Sequence, residues 1–311
     1  MRKKRRRRFY HEAVNHVYQR TVGGLHLFYC AEDCIVYYTI FAVCARSCNV
    51  RVLELCLMHN HVHFLINTDS IQELSHFVDY YTSWFVREYN SHVGRKGRLF
   101  KKNFGSAPKR DEKRLRSAII YVGNNPVEKR FCRTAKDYRW NFLAYMQTDN
   151  PFSSPLIKRE ASHEMRKVLK EVDYMNDMNL PLKYAQLKRM TQKLSAKEYE
   201  QFIDYVISKY SPMDYESLVS HFKSYDAMIM AMNSTTGDDF DIKESRDDFS
   251  PEVYNEIVGY ISKKMDSRHM RRLTVIPLEE KMAIRKEILA NTSAPDRQIC
   301  RFLHITTEAT G

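Results

Sequence analysis

Val50-Arg51-Val52-Leu53-Glu54-Leu55-Cys56-Leu57-Met58-His59-Asn60-His61-Val62-His63-Phe64-Leu65-Ile66 decides the fold. Val50–Leu57 is rich in β-branched and apolar residues and alternates from Val52 onward, the pattern of a strand. Met58-His59-Asn60 is the turn, and His61–Ile66 is the returning strand. Upstream, Asn15–Val22 contains a short strand pattern, and Ala31–Arg46 is long and apolar enough for a packed helix. Downstream, Ser70 caps a helix and Glu73 stands three residues on, the capping-box spacing. Its apolar stripe is Ile71, Leu74, Val78, Tyr81, Phe85 and Tyr89, and Gly94 ends it. Arg98–Phe104 is expected as a fourth strand. A last helix starts at Asp111, carries Leu115, Ala118, Ile119 and Val122 on one face, and stops at or just before Pro126.

The order is strand, helix, strand, strand, helix, strand, helix. That is the split βαβ, ferredoxin-like arrangement of an α+β fold. The expected sheet is antiparallel, with the hairpin at its centre and helices on one face. Pro151 and Pro155 close this unit, and the remainder reads as helical, for example Ser195–Tyr210 and Pro277–Ala290. The expected division is a basic tail over 1–8, a catalytic domain over 9–148 and a helical extension over 149–232. An acidic loop over 233–249 and a helical segment over 250–311 follow.

The 311 residues are 43% hydrophobic and 28% charged, with 9 glycines and 9 prolines, which excludes collagen-like and low-complexity chains. The longest nearly apolar run, Cys34–Ala45, is far short of the ~20 residues a membrane helix needs. Arg2–Arg8 is not followed by the apolar segment of a signal peptide. Seven cysteines, an odd number, suit reduced thiols in a cytoplasm. Cys30 with Cys34 and Cys44 with Cys48 are pairs four apart at the ends of an apolar stretch, and read as small core residues rather than zinc ligands.

The net charge of +12 is uneven. Residues 1–148 hold 26 Lys and Arg against 12 Asp and Glu, a net of +14, and the rest holds 24 against 26. The excess concentrates in Arg2–Arg8 and in Arg95–Arg116, where Phe100 and Phe104 are interleaved. Two such blocks attract a polyanion and release its counterions, so nucleic acid is the expected partner and a membrane is not. The candidate DNA contacts are Arg95, Lys96, Arg98, Lys101, Lys102, Lys109, Arg110, Lys113 and Arg114.

His61 and His63 are two apart on a strand, so both imidazoles point to one face and can share a divalent cation. His59 has the same parity but sits in the turn. Tyr121 and Asn125 are four apart on one side of a helix. Tyr121 is turned away from the centre of that helix's apolar stripe, at the flank of the core and facing an opening. A tyrosine nucleophile needs help, because its hydroxyl has a pKa near 10.

Together these pieces form a resemblance. Met58-His59-Asn60-His61-Val62-His63-Phe64-Leu65 resembles the Met-Pro-Asn-His-Val-His-Leu-Leu segment of HUH single-tyrosine transposases. Tyr121-Val122-Gly123-Asn124-Asn125-Pro126-Val127 resembles the Tyr-Ile-x-x-Asn-Pro-Val segment of their branch of REP-associated tyrosine transposases. Asp137-Tyr138-Arg139-Trp140, Gly97-Arg98-Leu99-Phe100 and Tyr18-Gln19-Arg20 resemble further segments in the same order, over about residues 9–148. The departures are His59 for proline, Lys101 for glutamine, and Asn141-Phe142 for a pair of serines.

The resemblance implies a ferredoxin-like fold and transposition of single-stranded or hairpin DNA by a dimer or monomer in the cytoplasm, at the nucleoid. It implies Tyr121 as nucleophile, and His61, His63 and Asn125 as the shell of Mg²⁺ or Mn²⁺. It implies a 5′-phosphotyrosine and no nucleotide cofactor. A DNA-binding regulator derived from such an enzyme and a rolling-circle replication initiator are the rivals. An RNA-binding sheet is weaker, since the glycine-aromatic signature of its third strand is missing. Pro295–Ile305 looks like the first helix and turn of a helix-turn-helix, with too few residues after it for a normal recognition helix.

Overall fold

The computed structural model describes residues 9–10, 13–101, 104–234 and 251–305. The basic tail, Lys102, nearly all of the expected acidic loop, and the residues after Ile305 lie outside them.

Four strands, β1 (Val14–Arg20), β2 (Arg51–Met58), β3 (His61–Asn67) and β4 (Gly105–Lys109), form an antiparallel sheet in the order β2-β3-β1-β4. This is the ferredoxin-like order. It corrects the expected centre: β3 is internal, but its hairpin partner β2 is an edge, and β1 takes the other central place. The β2 edge is covered by the chain before residue 215, where the Asp214 amide donates to Val52 O at 2.8 Å and Met213 bridges Val52. Covering an edge blocks its use as a template for another chain.

The two crossover helices, α1 (Ala31–Ser47) and α2 (Ile71–Val93), pack on one face against Val17, Leu55, Val62, Phe64 and Ile66. The Ser70 hydroxyl accepts from the Glu73 amide, and Gly94 takes a left-handed φ of 75° at the other end, where a side chain would be strained. The third helix, α3 (Glu112–Glu128), covers the opposite face with Leu115, Ala118, Ile119 and Val122 against Val14, Leu53 and Leu65. The sheet is therefore buried on both faces, not one. Near-continuous apolar runs in β2 and β3 are the sequence mark of this.

Two further expectations change. The fourth strand is Gly105–Lys109, not Arg98–Phe104; among the described residues of the expected strand, Phe100 bridges Thr21 and Lys101 N donates to Arg20 O at 2.9 Å. Pro108 is tolerated because β4 is an edge. Helix α3 also runs through Pro126 to Glu128. A proline so near a helix end costs little more than one internal hydrogen bond, and Phe131 N caps the end on Pro126 O at 2.8 Å.

After residue 148 the chain is helical: α4 (His163–Asp177), α5 (Tyr184–Thr191), α6 (Ala196–Tyr210), α7 (Tyr215–Ser220) and α8 (Tyr225–Ser234). Helices α4, α5 and α6 share one core with α1 and α2. Helix α8 lies on α3, with Met232 so close to Gly123 that a Cβ there would come within 2.4 Å of its sulfur. Helices α9 (Pro251–Ser262), α10 (Leu278–Asn291) and α11 (Asp296–Leu303) form a third core around Ile257, Ile288, Ile299 and Phe302. This core includes Tyr29, whose hydroxyl donates to Phe302 O at 2.6 Å. The apolar face of α11, the expected helix-turn-helix segment, is thus turned onto the strand-helix unit. None of the described helices is long and apolar enough to cross a membrane.

Candidate active site

The site lies between the sheet and α3. Alternation along β3 sends Val62, Phe64 and Ile66 to α1 and α2, and His61, His63 and Leu65 to α3. The His61 and His63 rings are 5.0 Å apart, centroid to centroid. Tyr121 comes down from α3 with its ring 5.4 Å from His63. Residues sixty apart in sequence therefore meet, as the motifs required.

Tyr121 does not face an opening. It is 4% exposed and belongs to the core between α3 and the sheet, while His63 is fully buried. The expected exposure fails because the flank of the α3 stripe is covered by the histidine-bearing strands. A phosphodiester can reach the Tyr121 hydroxyl only once the side chain or its cover moves. Asn125, one turn along α3, is 1% exposed, and neither atom of its amide has a hydrogen-bond partner among the described residues. A buried amide left in that state costs free energy until a ligand or ion satisfies it.

Three residues of this region escaped the sequence reading. His16 on β1 is fully buried, with Nε2 3.1 Å from His63 Nδ1 and its ring 5.6 Å from Tyr121. The strand parity it shares with Tyr18 could have flagged it. Asn60 holds His61 Nδ1 through Oδ1 at 2.7 Å. Glu54 on β2 is 1% exposed, and both carboxylate oxygens lack hydrogen-bond partners among the described residues. Burial pushes its carboxyl well above the usual range. A lone acid in an apolar strand was its signal.

His59, which stands where the resembled motif has proline, packs against Phe131, His26 and Tyr254. Burial lowers its pKa to about 3, so it is a neutral structural ring. Tyr138 donates its hydroxyl to Leu57 O at 2.8 Å.

Two imidazoles and an amide oxygen are a plausible donor set for a divalent cation, and the unsatisfied Asn125 amide fits such a use. Among the described residues, no group of three or more His, Cys, Asp or Glu side chains is arranged to hold a metal ion. The shell would therefore depend on Asn125.

The basic candidates separate. Lys96, Arg98, Lys101, Arg110 and Lys113 are exposed, and Lys109 is half-buried on β4. Arg110 stacks on Tyr10 at 3.6 Å, and Arg114 pairs with Asp111 at 3.3 Å. Arg95 is occupied in closing α2, where it donates to Asn90 Oδ1 and to the carbonyls of Gly97 and Arg98. It is the weakest candidate for a phosphate contact.

Comparisons with known proteins agree with the motifs. Residues 2–125, under half of the chain, match the family described as "Transposase IS200 like". No curated protein matches. A solved structure described as a REP-associated tyrosine transposase bound to a REP hairpin is similar at 14% identity, over 44% of this chain and 81% of that one. Its TM-score is 0.38. Over residues 2–125 the resemblance carried by the motifs holds, and this part of the chain matches the IS200-like transposases.

Proposed function

We propose that the chain is a metal-dependent transposase that cleaves and rejoins single-stranded or hairpin DNA through a 5′-phosphotyrosine. The supporting observation is that Tyr121 meets His63, which in turn stands beside His61, on one face of the sheet. In this reading the Tyr121 oxygen forms a bond to phosphorus and the bond from phosphorus to the 3′ oxygen breaks. The phenol proton ends on the departing 3′ hydroxyl. A later 3′ hydroxyl attacks the phosphotyrosine, rejoins the strand and returns the proton to Tyr121. The phosphodiester energy is retained throughout, so no nucleotide cofactor is needed.

His61, His63 and Asn125 are the residues that would hold Mg²⁺ or Mn²⁺, which when bound would draw charge from the attacked phosphate. Lys96, Arg98, Lys101, Lys109, Arg110 and Lys113 supply the surface for the backbone. Tyr121 must be uncovered before it reacts. That enclosure favours a second reading, a DNA-binding regulator that keeps the fold without the reaction.

The test is a denaturing gel of the protein with labelled single-stranded hairpin DNA and Mn²⁺. A covalent adduct is expected. It should vanish in Tyr121→Phe and in excess chelator, with DNA affinity kept in both cases. DNA binding with no adduct under any condition supports the regulator instead. An adduct that survives in Tyr121→Phe moves the nucleophile to another tyrosine, with Tyr138 the next candidate.

A further inference from the structure

Each candidate metal-binding histidine is held from behind by a second buried polar residue. We infer that His16 and Asn60 are positioning residues that fix His63 and His61 in the tautomer with the proton on Nδ1. The inference rests on the proposed metal site and says how that site is set.

Asn60 is oriented by its own donor. Its Nδ2 donates to Gly24 O at 3.4 Å, which leaves Oδ1 to face His61 Nδ1 at 2.7 Å. An amide oxygen only accepts, so the proton lies on His61 Nδ1 and the lone pair of the neutral ring lies on Nε2. His63 has the corresponding arrangement from β1. There Tyr18 is directly opposite His63, and His16 is the diagonal neighbour two residues along, within reach for a long side chain. Only one proton fits between His16 Nε2 and His63 Nδ1 at 3.1 Å. For His63 to offer the Nε2 lone pair, that proton belongs to His63, and His16 accepts it as a neutral ring protonated on its own Nδ1. A metal-binding histidine commonly has its other ring nitrogen held in this way, which fixes ring and tautomer and raises ligand basicity. Phenylalanine at 16 would fill the volume and lack the acceptor, so the hydrogen bond is separable from packing.

The experiment uses the full chain without DNA. Mn²⁺ is titrated calorimetrically into the wild type, His16→Phe, His16→Gln and Asn60→Ala. The wild type should bind. His16→Phe and Asn60→Ala should each lose roughly 10–100-fold in affinity. His16→Gln, whose amide oxygen can stand in for Nε2, should recover most of the loss; a purely structural role would give no such rescue. In parallel, ¹⁵N imidazole spectra of the metal-free wild type should place the His61 and His63 protons on Nδ1, which keeps the test decisive if a variant fails to fold. Equal Mn²⁺ affinity in all four proteins, or a His63 proton on Nε2, overturns the inference. A wild type that binds no Mn²⁺ overturns the metal reading itself, whatever the spectra show.

Discussion

Glu54 is an acid in an apolar wall. It stands opposite Leu65 in the β2–β3 register, and burial pushes its carboxyl well above the ordinary range. An unsatisfied buried polar group costs about 1–3 kcal/mol, so Glu54→Met should stabilise the protein by a comparable amount. A urea midpoint at pH 7 measures it, and a lower midpoint would mean that Glu54 makes an interaction worth more than its burial costs. The histidine pair was legible because a strand repeats every two residues, a rule contained within three positions of sequence. Tyr121 was legible through its motif, but its helical spacing suggested an opening where strands lie. His16 and Asn60 were not legible, because their partners are set by the β1–β3 register and by the loop at Gly24, neither of which a local pattern states. Arg95 looked like a phosphate contact for the same reason: its charge is local, but its acceptors are the Asn90 side chain and the carbonyls of Gly97 and Arg98 in a folded turn.

Elements that are long and apolar, as α1, or periodic and capped, as α2 and α6, came out within a residue or two. Strand β4 did not, because Gly-Ser-Ala-Pro-Lys has no strand character of its own and is held as an edge by pairing with β1. Helix α11 shows how docking overrides a local motif. The turn after it places His304 Nε2 2.6 Å from His26 O, and the His26 ring stacks on Tyr254. Burial, with Arg95 and Lys281 nearby, lowers the His304 pKa to about 4 despite the His26 carbonyl. Burial, then the neighbouring His59 ring, holds the His26 pKa well below its ordinary value, with the Phe28 carbonyl opposing. Both are neutral when folded and gain a proton near pH 6.5 when unfolded. Stability is then full above about pH 6.5 and falls as pH drops towards 4, by up to roughly 1.4 kcal/mol per pH unit for each ring. Thermal unfolding between pH 7.5 and 5 should show this loss, and His304→Gln should reduce its slope. An unchanged slope in that variant would remove His304 as a contributor.

The charge imbalance belongs to the chain as a whole. The first half carries the entire basic excess, and residues 2–8 supply seven consecutive cations that attract phosphates. With about four of the seven on phosphates, deleting residues 2–8 should flatten the single-strand salt slope by about three units. Affinity should drop alike for every sequence. Titrations across a salt series, with and without the tail, check this. An unchanged slope would shift the binding to the cluster between Lys96 and Lys113.

Helix α1 is buried at every position from Glu32 to Ala45. Among the described residues its far side is covered by later parts of the chain, through contacts such as Tyr38 stacked on Phe142, the Tyr38 hydroxyl donating to Ile207 O and Leu182 N donating to Thr39. During synthesis, residues 149–210 emerge at roughly 5–20 per second, so that apolar side waits on the order of 3–12 s for its cover. A nascent chain of this protein is therefore most exposed to chaperones and to self-association in that interval.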